Sequence, residues 1–125
     1  MFSIKTNPIH NRLYITLKGK MDVEEIQLAA NDILLNAQKL KSGFNIISDT
    51  SSFIPLSEEG RVIMENAMNQ VKELGLNKEI QIISQQAQSL FNQRQYTSRS
   101  TGYAPKRALT LPEAEALLNR LEKDR

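Results

Sequence analysis

Asp49-Thr-Ser-Ser-Phe-Ile-Pro-Leu-Ser-Glu-Glu-Gly60 leaves an apolar run, Phe44 to Ile47, and leads into a stretch with helical periodicity. It reads as a crossing from a strand to a helix. In an α/β domain the carboxyl ends of strands and the free N–H groups of helix starts meet at such crossings, which suits them to binding or switching. Ser57, with Glu58 and Glu59 after it, stands where the helix begins.

Upstream of this stretch, Phe2 to Thr6 and Arg12 to Lys18 alternate apolar and polar residues, and Asn7-Pro8-Ile9-His10-Asn11 between them carries turn chemistry. An N-terminal hairpin follows. Asp22 with Glu25 three residues on forms a capping-box pattern. Ile26, Ala29, Ala30, Ile33, Leu34, Ala37 and Leu40 then keep the spacing of a helix buried on one face, and Lys39, Lys41 and Gly43 are placed to close it. Phe44 to Asp49 is a short apolar strand, expected at the centre of a sheet.

Downstream, Val62, Ile63, Ala67, Val71 and Leu74 form a second helical stripe ending at Gly75. Glu79 to Ile83 is another strand. Gln85 to Phe91 has the pattern of a short helix, and Asn92 to Gly102, rich in Gln, Ser, Thr and Arg, that of a loop. Lys106 to Leu109 gives a last short strand, and Thr110 with Glu113 repeats the capping box ahead of a helix through Leu117, Leu118 and Leu121. Strands that alternate with helices predict a mostly parallel sheet with right-handed crossovers, while the hairpin adds an antiparallel edge.

The chain has 125 residues, which is the size of one domain with one core. We find no repeat, linker or internal boundary, so 1–125 is expected to be a single domain. Hydrophobic residues make up 40% and charged residues 24%, the balance of an ordinary globular protein. No apolar run is long enough for a membrane span, and the N-terminus has no signal-peptide pattern. With no Cys there is neither a disulfide framework nor thiolate chemistry, which fits a cytoplasmic protein. The sequence pI is near 9.0, yet the net charge is only +2, too small an excess to imply nucleic acid.

Catalytic machinery is hard to assemble from these residues. His10 is the sole histidine and sits in a turn, so neither a metal site nor a Ser-His nucleophile has its usual partners. No metal or cofactor is expected. The glycines stand singly near element ends and form no phosphate-cradling loop. The pairs Glu24-Glu25 and Glu58-Glu59 fall in first helical turns, where carboxylates meet the helix dipole, a simpler account than acid-base catalysis.

Four segments carry a resemblance: Leu13-Tyr-Ile-Thr-Leu-Lys-Gly19 with Met21-Asp22, the strand Asn45-Ile-Ile-Ser-Asp49, Phe53-Ile-Pro-Leu-Ser57-Glu-Glu-Gly60, and Leu111-Pro-Glu-Ala-Glu-Ala-Leu-Leu118. In content and order they resemble the STAS domain family, and within it the SpoIIAA-like branch of anti-sigma factor antagonists. The resemblance spans nearly the whole chain. It implies an α/β fold with a small mixed, mostly parallel sheet of about five strands, an N-terminal antiparallel hairpin and flanking helices. It also implies an interaction module in place of an enzyme, with a protein partner such as a kinase-like anti-sigma factor.

Antagonists of this family are switched by phosphorylation of a serine in an Asp-Ser-Ser-Gly type motif at the start of the second helix, and Ser57 falls at that position. Here Pro55 and Leu56 replace the preceding Asp-Ser, and Glu58 replaces the glycine. A phosphate on Ser57 would suit a helix N-terminus but would be repelled by Glu58 and Glu59. The simpler role is a helix cap worth about 1 kcal/mol. One residue can serve both.

The leading expectation is therefore a regulatory module that presents Ser51 to Gly60 and the second helix to a protein, with Asp49, Ser51, Ser52, Phe53, Glu58, Glu59 and Gly60 as the candidate partner-binding loop. The runner-up is a small-molecule or lipid-like ligand in a pocket between helix and sheet, lined by Met21, Met64 and Met68, although core packing is the commoner use of such methionines. A third reading sets Arg94, Arg99, Lys106 and Arg107, interleaved with Tyr96 and Tyr103, against single-stranded nucleic acid or another anion. The small charge excess disfavours nucleic acid. A homodimer through the sheet edge or the first helix is compatible with the sequence, which does not decide it.

Overall fold

The structure is a computed structural model that describes residues 1–54, 57–85 and 106–123. Strands β1 (Phe2–Asn7) and β2 (Arg12–Gly19) form the hairpin, followed by α1 (Val23–Ala37), β3 (Asn45–Phe53), α2 (Glu58–Glu73), β4 (Lys78–Ile82), β5 (Lys106–Ala108) and α3 (Leu111–Lys123). The sheet order is β1-β2-β3-β4-β5, antiparallel between β1 and β2 and parallel across the other pairs. This is the mixed, mostly parallel sheet with flanking helices that the periodicity predicts. Past Gln85, the expected short helix at Gln85 to Phe91 and the loop at 92–102 lie outside the described residues.

Alternation along the strands divides the core between the two faces of the sheet. Leu13, Ile15 and Leu17 of β2 pack with Ile46 and Phe44 under Ile26, Ala29 and Ile33 of α1, and α2 adds Val71 to this cluster. On the opposite face Ile47, Ile80, Ile82 and Ala108 pack against Ala114 and Leu118 of α3. α2 rests on α1, whereas α3 lies over β3, β4 and β5.

The helix starts follow the sequence closely. Asp22 Oδ1 accepts from the Glu25 N–H at 2.8 Å and Thr110 Oγ1 from the Glu113 N–H at 3.2 Å, each satisfying a backbone donor that the helix cannot. The reciprocal half of each box goes elsewhere: the Glu25 carboxylate meets the Met1 amino group at 2.8 Å, and Glu113 Oε2 accepts from the Leu109 N–H at 3.2 Å.

Two boundaries differ from expectation by more than one residue. α1 ends at Ala37, three residues before Leu40, because Lys39 and Leu40 turn to bond the carbonyls of Asn36 and Ala37, three residues back, and so tighten the chain out of the helix. Lys39 and Lys41 therefore lie past the last turn, and Gly43 is no cap of α1. It serves a neighbouring junction: Gly43 N–H donates to Gly75 O at 2.6 Å, holding the α1–β3 and α2–β4 turns together. Gly75 has φ +107°, and a Cβ there would lie 2.9 Å from the Cα of Ser42, so only glycine fits the approach.

The second difference is in β3, which runs to Phe53, four residues past the expected Asp49. From Thr16↔Asp49 to Lys18↔Ser52 β2 advances two residues while β3 advances three, which marks a bulge in β3. Asp49 Oδ1 accepts from both the N–H and the Oγ of Ser51, at 3.0 and 2.6 Å, and holds the extra residue in place. The bulge resets the alternation, so that Phe53 packs with the α1 cluster.

Candidate interaction site at the start of α2

The bulged end of β3 delivers the chain to Ser57, which is exposed and extended, with φ −62° and ψ 165°. Its Oγ accepts from the Gly60 N–H at 3.2 Å and its carbonyl from the Arg61 N–H at 2.8 Å, the geometry of an N-cap. Ser57 is thus the cap of α2, as its position in the sequence suggests. Glu58 and Glu59 follow in the first turn, both exposed.

Arg61 organises this turn. Its guanidinium pairs with Glu58 three residues back, at 2.5 Å, and with Glu65 four residues on. Its hydrogen bond and charge hold the Glu58 carboxyl below its ordinary value, and the same pair raises the pKa of the Arg61 guanidinium. Glu58 is therefore a firm carboxylate beside Ser57, and the negative charge at this helix end is already matched by a cation.

The candidate partner-binding residues do not form one loop. Asp49, Ser51, Ser52 and Phe53 are strand residues, because β3 keeps pairing with β2 beyond the point where β4 ends opposite Asp49. Asp49 lines a cleft of about 200 Å³ with Lys5, Tyr14 and Leu111, on the face where α3 lies. Gly60 is buried in the first turn of α2. What faces solvent at the α2 start is Ser57, Glu58 and Glu59, with Ile54 before them (52% exposed) and Val62 after (43%). Val62 was readable only as part of the α2 stripe, since periodicity does not say which stripe positions stay uncovered, and Ile54 belonged to no stripe at all.

The methionines separate. Met21 is buried in the α1-side core, whereas Met64 and Met68, one turn apart on α2, line a cavity of about 410 Å³ between α2 and the sheet. Opposite them on the sheet stand Ser48, Thr50, Glu79 and Gln81. Ser48 Oγ donates to Glu79 Oε2 at 2.9 Å and Gln81 Nε2 to Thr50 Oγ1 at 3.5 Å. The sequence carries a signal for this floor, polar residues at every second position of two central strands, that a search for catalytic motifs passes over.

Of the candidate anion-binding residues, Lys106 and Arg107 lie in β5 beside Ile80 and Gln81, while Arg94 and Arg99 lie outside the described residues, as do Tyr96 and Tyr103. His10 is exposed in the hairpin turn, its N–H donating to Asn7 Oδ1 at 3.2 Å. No helix among the described residues is long and apolar enough to cross a membrane.

A polar cluster on the α3 face was not foreseen. Arg12, 4% exposed, donates to Asn119 Oδ1 at 2.6 Å and to Glu122 Oε2 at 3.1 Å, and Asn45 donates to Glu122 Oε1 at 2.8 Å. Burial alone would lower the Arg12 pKa, but the Glu122 carboxylate outweighs it and holds the guanidinium charged. Tyr14 donates to Glu115 at 3.1 Å, and burial pushes its phenol up. These partners stand 77 to 110 positions apart in the chain, a separation that no local pattern bridges.

The sequence matches no family model and no curated protein. Among solved structures, the fold is similar to "Structure of the Bacillus Cell Fate Determinant SpoIIAA in the Phosphorylated Form", with a TM-score of 0.54 at 17% identity, covering 97% of this chain and 99% of that one. At this identity the likeness is one of architecture, and it agrees with the order and direction of all five strands. The chain has the SpoIIAA-like, STAS-type α/β fold.

Proposed function

We propose that this chain is a non-enzymatic regulatory module that engages a protein partner through the N-terminal end of α2, acting as a single domain in the cytoplasm. The observation that carries the reading is an exposed serine capping α2 in a fold similar to that of SpoIIAA, a cell fate determinant whose solved structure is of the phosphorylated form. Ile54 and Val62 supply apolar contact on either side of Ser57, while Glu58 and Glu59 supply charge. A kinase-like anti-sigma factor is the partner class that fits best. Phosphorylation of Ser57 would add close to two negative charges beside Glu58, drawing Arg61 from its carboxylates and changing the surface a partner meets.

Affinity purification from the native cell, with the wild type beside Val62→Asp and Ser57→Asp, tests this. One partner should be recovered by the wild type, lost with Val62→Asp and weakened with Ser57→Asp, and phosphopeptide mapping should find the modification on Ser57. Recovery of the same proteins by all three forms would refute the reading.

A further inference from the structure

α1 buries Ile26, Ala29, Ala30, Ile33 and Ala37 and turns its opposite face to solvent. On that outer face Leu28 and Leu35 stand seven residues apart, so two helical turns set them on one stripe. They are 61% and 59% exposed, more than any other leucine among the described residues. Glu24, Asn31 and, just past the last turn, Lys39 continue the stripe, all of them exposed. Neither Glu24 nor Lys39 has an ion-pair partner among the described residues.

This stripe is complementary to itself, as the interface of a two-fold dimer must be. With two copies of α1 antiparallel and the axis between Asn31 and Asp32, Leu28 faces Leu35 of the second copy and Glu24 faces its Lys39. Each contact occurs twice, and both pairs are centred on the same point of the helix. A parallel pair would instead set Glu24 against Glu24 and Lys39 against Lys39, like charge on like. Next to the axis, Asn31 accepts from Gln27 on its own helix at 3.0 Å, and a lone polar residue at the centre of a helix seam serves to fix its register.

We infer that the outer face of α1 is a self-association surface through which two copies of this chain pair antiparallel, Leu28 against Leu35, with Glu24 and Lys39 closing both ends. Four leucines between two helices bury an area at the small end of specific interfaces, so the dimer forms and dissociates with concentration. The start of α2 takes no part in it, and this inference and the partner proposed for Ser57 can fail separately.

Sedimentation velocity of the full chain at rising concentration should show a monomer–dimer equilibrium. Leu28→Glu and Leu35→Lys change exposed positions, and each should weaken the dimer about tenfold or more while circular dichroism stays that of the wild type. Glu24→Lys should weaken it about fivefold, and adding Lys39→Glu should restore it. Because the chain has no cysteine, a mixture of the Leu28→Cys and Leu35→Cys forms reports orientation, and on oxidation the mixed disulfide should form faster than either symmetric one. A monomer at every concentration, a dimer unmoved by Leu28→Glu and Leu35→Lys, as edge-to-edge pairing of β1 would give, or symmetric disulfides forming as fast as the mixed one would overturn the inference.

Discussion

At the scale of single residues, Ser57 shows how far one hydroxyl determines its neighbourhood. Its Oγ is the acceptor for the Gly60 N–H, and the α2 start has no second side chain among the described residues bonded to that donor. Ser57→Ala should therefore lower stability by about 1 kcal/mol, whereas Ser57→Asp, which keeps an acceptor in place, should cost only a fraction of that. Urea denaturation of the three proteins measures both differences. Equal losses for Ala and Asp would mean that the cap is not what Ser57 contributes. The result also bears on the proposed switch, since a phosphate can accept the same N–H and so need not unwind the helix it caps.

Among the elements, α3 is held by two unlike attachments. Ala114 and Leu118 bury an apolar stripe on the sheet, while Arg12 and Asn45 converge on Glu122 at the strand beginnings. The first was legible from the spacing of Leu117, Leu118 and Leu121, the second only in three dimensions. Because Arg12 is almost fully buried, removing its carboxylate leaves a charge that water cannot reach, and Glu122→Ala should cost about 3 kcal/mol. The double change Arg12→Met with Glu122→Leu replaces the pair by apolar groups and should cost less than the sum of the single changes by about 1–2 kcal/mol. A double-mutant cycle in urea reads this coupling, and additive single changes would show that the two residues do not depend on each other.

The whole molecule is one twisted layer carrying two separate cores, and that organisation explains what the sequence could and could not disclose. Strand alternation and helix stripes arise from local backbone geometry, so β1, β2 and the starts of all three helices could be read from residues a few positions apart. β3 was cut short because Ser51 and Ser52 are exposed and polar, although pairing with β2 keeps them extended. The polar floor under α2 was missed for the opposite reason, since Ser48 and Glu79 look unremarkable until two strands set them side by side. Ile33 belongs to the α1-side core and Leu118 to the α3-side core, with the sheet between them. Packed layers stand about 10 Å apart, and changes that share no contact at such distances add. Ile33→Val should cost about 1 kcal/mol and Leu118→Ala about 3 kcal/mol, and the double variant should lose their sum to within about 0.5 kcal/mol. If equilibrium unfolding of the double variant departs from that sum by more than this, the two faces are coupled through β3, whose Ile46 and Ile47 point to opposite cores.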